Sequence, residues 1–211
     1  CAASEDLDAL DYVDLRFLDH HREYMVHEYL VTDVEAARAA LETDPYLGRW
    51  IATARGCKYE CSYCGGCRSA HATLAHRQGI VPRSPEAVVD ELAYLADHHV
   101  IQPSLTYDIA EMGRSYWREL FSLMRKRDVH IGLYNECFQM PSLRFLKYFA
   151  RSVDLEHSCI ALSPLSGSER VRRLNGKHFS NMELINVMDT LNLHNLFALV
   201  YFSLNLPGEN E

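Results

Sequence analysis

The sequence predicts an α/β protein built on a parallel sheet, and three observations carry that expectation. From Arg49 onwards, short apolar runs alternate with segments of helical periodicity, the pattern of strands laid side by side with helices crossing between them. The runs are nearly continuous in their apolar character, as in Leu196 to Leu204, which is how a strand covered on both faces reads. The composition, 48% hydrophobic and 24% charged over 211 residues, is that of one globular domain, or a domain with an extension, able to bury a core.

The elements follow in order. Residues 1–47 read as a helical or connecting segment, possible as the tail of a preceding domain, and residues 48–211 as the core. Within the first segment, Val34 to Leu41 is rich in helix formers behind Thr32 or Asp33 as N-cap, and Asp44-Pro45 ends it. His20, His21 and His27 read as a solvated helix face, because no acidic or cysteine partner at a fixed helical offset completes a ligand set. Trp50 to Ala54 is the first strand and feeds a cysteine-rich loop. Ser84-Pro85 opens a helix through His98, with Ser as N-cap and Pro in the first turn. Val100 to Tyr107 is the second strand. Ser115 to Arg127 is a helix whose Trp117, Leu120, Phe121 and Met124 recur at i, i+3, i+4 and i+7. Val129 to Tyr134 is the third strand, Pro141 to Val153 a helix with Leu143, Leu146 and Phe149 along one side, and His157 to Ser163 the fourth strand. Ser166-Gly167-Ser168 starts a helix that runs into Asn175-Gly176-Lys177. Met182 to Leu193 is helical again, and Leu196 to Leu204 is the fifth strand.

Charge and missing motifs narrow the function classes. A formal net charge of -8 argues against a nonspecific grip on nucleic acid, which needs a basic face. No apolar run approaches the ~20 residues of a membrane span, and the first residues have neither the basic start nor the apolar stretch of a signal peptide. A cytoplasmic setting is expected. There is no G-x-x-x-x-G-K-[ST] and no G-x-G-x-x-G, so triphosphate and dinucleotide sites have no support.

The stretch Gly56 to Cys67 holds four of the seven cysteines. Cys57, Cys61 and Cys64 are spaced C-x3-C-x2-C, so a short loop can place three sulfurs around one corner of an inorganic cluster while Gly56, Gly65 and Gly66 relieve the backbone. Three thiolates leave one iron of a four-iron cluster open to a small chelating molecule, whereas an electron-transfer ferredoxin closes every iron with cysteine. A second reading uses Cys61, Cys64, Cys67 and His71 to hold zinc in a binding module. It ranks lower, because structural zinc sites come as two paired knuckles and nothing downstream supplies the second pair. A disulfide framework ranks lower still for a clustered, odd number of cysteines in a chain of this size. Cys1, Cys137 and Cys159 read as small apolar residues or free thiols.

The cysteine spacing resembles that of the radical S-adenosylmethionine (radical SAM) enzymes, and Tyr63, immediately before the third cysteine, stands where that family usually has an aromatic residue against the adenine. The resemblance covers about Arg49 to the end. It implies a partial parallel (β/α) barrel, with a [4Fe-4S] cluster in the loop after the first strand, S-adenosylmethionine across the carboxyl ends of the strands, and a reductant such as ferredoxin or flavodoxin as partner. Five strand units are present where the family has six, so the chain reads as truncated after the fifth strand, leaving Ala198 to Leu204 as an apolar edge. The run Leu162 to Arg172, then Gly176-Lys177 and Leu206-Pro207-Gly208-Glu209, is similar to the subgroup that carries a cobalamin domain, which makes cobalamin a possible cofactor of a longer parent.

Carried over position by position, the resemblance suggests further ligands. Asp108 stands where the family's Gly-Gly-Glu receives the methionine amino group, the glycines being absent, although an acidic residue there can equally cap the next helix. Glu136 in Tyr-Asn-Glu could accept ribose hydroxyls or the amino group, or be a solvated loop residue. Ser163 and Ser166 flank the end of the fourth strand, where many relatives have Glu-Ser-Gly. Leu165 replaces that glutamate and weakens the ribose assignment. The Ser-Gly-Ser turn offers helix-start N–H groups to a carboxylate, and Arg170, Arg172 and Arg173 add charge or form a solvated face. The substrate is not legible from fold analogy.

Overall fold

The computed structural model describes residues 6–9, 19–20 and 50–209. The expected boundary at residues 47–48, the helix Val34 to Leu41, His21 and His27 lie outside the described residues.

Five strands form a parallel sheet: β1 (Trp50–Ile51), β4 (Ser104–Leu105), β5 (Tyr134–Cys137), β6 (Cys159–Leu165) and β7 (Phe197–Phe202), hydrogen-bonded in that order. The register runs straight across it, Trp50 to Ser104, Ser104 to Tyr134, Tyr134 to Cys159 and Cys159 to Phe197. A separate antiparallel pair, β2 (Ala54–Gly56) with β3 (Ile80–Pro82), brackets the cysteine loop. Between and after the strands come α1 (Arg68–Ala75), α2 (Pro85–Asp97), a 3-10 turn at Ile109–Met112, α3 (Arg114–Lys126), α4 (Leu143–Ala150), α5 (Glu169–Leu174) and α6 (Asn181–Leu193).

Helix starts follow local chemistry. Ser84 Oγ accepts from Ala87 N at 3.1 Å with Pro85 in the first turn, Ser142 Oγ accepts from Phe145 N, and Ser168 Oγ accepts from Val171 N. Ser180 and Glu183 form a reciprocal capping box at α6. The helices α2, α3, α4 and α6 then bury one face each: Val88, Leu92 and Leu95; Leu120, Phe121 and Met124; Phe145, Leu146 and Phe149; Val187 and Leu191. Phe121 lies 5.8 Å from Phe145 and 5.9 Å from Phe149, with Trp117 edge-on to Phe145 at 5.7 Å, so aromatic rings weld α3 to α4. This core packs on the sheet face that carries Ile51, Leu105, Ile160 and Leu162.

Strand alternation sends Cys159, Ala161 and Ser163 to the opposite face. There Tyr134, Cys159 and Ala161 form a small apolar cluster, and the register sets Glu136 beside Ala161. The inner face is thus small and apolar near its amino ends and polar near its carboxyl ends.

Three expected strands shift, each for a local reason. The first divides: after Ile51 the Thr53 hydroxyl donates to Tyr107 O and accepts from Tyr107 N, both at 3.1 Å, which replaces a backbone rung and turns the chain into β2. The second shrinks to Ser104–Leu105, because Pro103 has no N–H to give the ladder. The third is regular only from Tyr134. Before it, Gly132 packs so closely on the His157 and Ile101 carbonyls that a Cβ would sit 2.2 and 2.6 Å from their oxygens. No helix of the described residues is long and apolar enough to cross a membrane.

Candidate functional site

The loop from Cys57 to Cys67 leaves β2 at Gly56, whose φ is +99° and where a Cβ would meet Gly79 O at 2.1 Å. Only glycine permits that closing of the hairpin. Within the loop, Cys64 N donates to Cys61 O at 3.2 Å, Tyr59 N lies 3.4 Å from Cys57 Sγ and Gly66 N lies 3.3 Å from Cys64 Sγ. Two of the three sulfurs therefore already receive backbone N–H groups, the contact that stabilises a thiolate and tunes a cluster bound to it.

These thiols line a cavity of about 320 Å3, together with Tyr59, Tyr63, Gly66, His71, Thr106, Tyr107, Glu136, Phe138 and Lys177. It opens at the carboxyl ends of β4 and β5, where ligands of parallel sheets collect. A roomier hollow, about 500 Å3, lies at the amino ends between α3 and α4 and is lined by Arg125, Asp128, His130, Asp154 and Glu156. It holds no thiol and a mixture of opposite charges, so chemistry favours the smaller cavity.

Of the residues singled out from sequence, Cys57, Cys61, Cys64, Tyr63 and Glu136 share this cavity. Tyr63 is 45% exposed and lies beside Cys61. Burial raises its phenol well above the ordinary value, with the neighbouring thiols adding to the shift, and burial likewise raises the Cys61 thiol, opposed by Lys177. Ser163, 8% exposed, donates to Glu136 Oε1 at 2.7 Å and fixes the carboxylate. Asp108 and Ser166 do not reach the cavity wall. Asp108, 1% exposed, accepts from Ala110 N at 3.0 Å, Asn135 Nδ2 at 3.3 Å and Phe138 N at 2.8 Å. Its carboxylate caps the 3-10 turn and pins the Phe138 backbone. Burial pushes its pKa up to about 7 against those donors. Ser166 Oγ accepts from Ser168 N at 3.2 Å, and its carbonyl accepts from Arg172 Nη1. Arg172 is wholly buried, tied also to Phe179 O and Asn181 Oδ1, whereas Arg170 donates to Gly208 O and Arg173 pairs with Glu169. Leu165 packs with Val171 and Leu206, so that position serves packing.

The zinc arrangement does not assemble. Cys67 Sγ donates to Glu60 Oε1 at 3.2 Å, and Glu60 also accepts from Ser69. Among the described residues, no group of three or more His, Cys, Asp or Glu side chains is placed to hold a single ion. The same holds of Cys57, Cys61 and Cys64, which line one cavity without being placed to hold a single ion. Other features fit a bound cluster. The Tyr107 hydroxyl is buried at the wall without a hydrogen-bond partner. A Cβ on Gly176, φ +84°, would approach Cys61 Cα and Sγ to 3.0 Å.

Sequence reasoning missed the segment that closes the cavity. Asn175, wholly buried, donates to Val171 O and Pro207 O and accepts from the Ser62 hydroxyl of the cysteine loop. Gln139 donates to Gly176 O at 2.9 Å, and Lys177 Nζ donates to Phe138 O at 2.7 Å. Asn175-Gly176-Lys177 read only as the end of a helix, with Gly176-Lys177 as part of a similarity to one subgroup; nothing local says that it packs on a loop more than a hundred residues earlier. Burial pulls the Lys177 ammonium below the ordinary lysine value, while Cys61 and Glu136 pull it back up.

No protein-family model matches the chain, and no curated protein sequence matches it. Solved structures do. The radical S-adenosylmethionine methyltransferase TsrM from Kitasatospora setae, with cobalamin and a [4Fe-4S] cluster bound, aligns over 78% of this chain with a TM-score of 0.61 at 17% identity. The same enzyme with tryptophan and the SAM analogue aza-SAM aligns over 76% with a TM-score of 0.57 at 18% identity. Methylornithine synthase (PylB) is a fainter likeness, with a TM-score of 0.49 at 12% identity over 85% of this chain and 58% of its own. The chain spans about a third of TsrM, 32% and 31% in the two structures. The architecture is thus the mostly parallel partial barrel of the radical SAM enzymes, similar to a cobalamin-associated member.

Proposed function

We propose that this chain is the radical SAM core of an enzyme, with Cys57, Cys61 and Cys64 holding a [4Fe-4S] cluster whose open iron takes S-adenosylmethionine. The observation that carries the reading is the convergence of three thiols from one loop with Glu136 and Lys177 on a single cavity at the carboxyl ends of a parallel sheet. Bound there, such a cluster would supply one electron for reductive cleavage of the sulfonium, giving methionine and a 5'-deoxyadenosyl radical.

The chain's own share is binding and exclusion. Tyr63 offers its ring to the adenine, and Glu136, held by Ser163, offers a carboxylate to the amino group or ribose hydroxyls. Asp108 acts from behind, fixing the Phe138 backbone that forms part of the wall. Ser166 and the Arg172 beneath it hold the turn that follows β6. The likeness to TsrM, described with cobalamin as a methyltransferase, supports cobalamin-assisted methyl transfer as the reaction; ferredoxin or flavodoxin as reductant and a reducing, cytoplasmic setting belong to the same proposal.

Electron paramagnetic resonance of the anaerobically reconstituted, dithionite-reduced chain tests the open iron. Adding S-adenosylmethionine should change the spectrum, and Glu136→Gln should raise the concentration needed by about tenfold, the loss of one charge-assisted hydrogen bond of ~1.4 kcal/mol. A reduced cluster whose spectrum ignores saturating S-adenosylmethionine would overturn the reading.

A further inference from the structure

Lys177 is 4% exposed, yet among the described residues it forms none of the ion pairs within 4.0 Å. Its ammonium makes one hydrogen bond, to Phe138 O at 2.7 Å, and has two further N–H groups to place. A buried charge is ordinarily paired, because an uncompensated one costs several kcal/mol. No carboxylate of the described residues closes a contact ion pair with it: Glu136 acts on it from across the same cavity, with one oxygen held by Ser163, and Asp108 is committed to Ala110, Asn135 and Phe138. What Lys177 does face is the cavity of the three thiols. The residue before it, Gly176, packs against Cys61 so tightly that a Cβ would come within 3.0 Å of its sulfur. Gln139 donates to Gly176 O and accepts from His178 N, holding the backbone on either side, so the ammonium is fixed there by the fold.

We infer that Lys177 is the counter-charge of the cluster: its ammonium balances the anionic, thiolate-ligated group and raises its reduction potential. The inference rests on the proposed cluster and deepens it. A cluster held by three thiolates is anionic and gains a further negative charge on one-electron reduction. A fixed cation in a poorly solvated wall favours the more negative, reduced form. Lys177 is therefore a positioning and tuning residue rather than a catalytic one, and its effect does not require S-adenosylmethionine.

The test is the midpoint potential of the reconstituted cluster, without S-adenosylmethionine, in the wild-type chain, Lys177→Gln and Lys177→Arg. Lys177→Gln should make reduction at least tenfold less favourable, 59 mV or more in the negative direction for a one-electron couple, while Lys177→Arg stays within a third of that shift. Should Lys177→Gln fail to retain iron while keeping wild-type circular dichroism, with Lys177→Arg loaded normally, the counter-charge is equally supported. Equal potentials in wild type and Lys177→Gln would overturn it, as would loss of iron from both variants together with a lowered melting temperature, which marks a purely structural role. A wild-type chain that takes up no iron and sulfide would instead sink the proposed function itself.

Discussion

Gly176 and Cys67 show how single residues decide the site. A side chain at Gly176 would meet Cys61 and require a left-handed backbone, φ +84°, which costs an L-residue about 1–2 kcal/mol. Gly176→Ala is expected to lower the unfolding free energy by at least that amount, read from the urea midpoint and slope, and to reduce iron retention, both measurable on one preparation. Cys67, by contrast, spends its thiol on Glu60, so Cys67→Ser should keep full iron and sulfide content; loss of the cluster would make Cys67 a ligand. The thiol triplet and Tyr63 were legible because their spacing is local. Glu136 was legible from its place at a strand end. Lys177 was not, since long-range packing alone brings it to Cys61; for Asp108 the capping alternative is the one the structure shows, while its full burial was not legible, since sequence does not say which way a carboxylate after a strand points. That burial has a pH consequence. Burial raises the folded-state pKa of Asp108 from the ordinary 3.8 to about 7, so its stabilising contribution is complete below the unfolded value and is lost as pH rises towards 7. Urea midpoints measured from pH 4 to 8 should fall with pH in the wild type. The fall should be shallower in Asp108→Asn, offset at every pH by one lost acceptor.

At the scale of elements, the helices were read within a few residues, because Ser84, Ser142 and Ser168 cap them as side-chain chemistry dictates. Strand boundaries were read less well. Thr53 and Gly132 each interrupt a ladder through contacts with other segments, and Pro103 does so because it has no N–H to give. The helix α1 escaped notice because its eight residues bury no side chain and its N-cap, Cys67, makes no capping bond. The weld between α3 and α4 is where packing carries most. Phe121 is wholly buried against Phe145 and Phe149, so Phe121→Ala should cost about 3–5 kcal/mol, read as a shift in urea midpoint with an unchanged slope. A cost below ~1 kcal/mol would mean that the aromatic core is not what joins these helices.

For the whole molecule, the parallel order of the sheet was predicted by alternation of apolar runs and helices, and its two faces divide the labour. One face packs on four helices through Ile160 and Leu162, while the other carries small residues towards the amino ends and Glu136 and Ser163 towards the cavity. The sheet thereby holds up a site whose cysteine loop, acid and lysine come from three distant parts of the chain. Metal analysis of the chain after anaerobic reconstitution with iron and sulfide tests that account most directly. It should give a brown protein with about four irons and four sulfides per chain, falling to background when Cys57, Cys61 and Cys64 are replaced together by Ala. A colourless protein holding one zinc and no sulfide would contradict it.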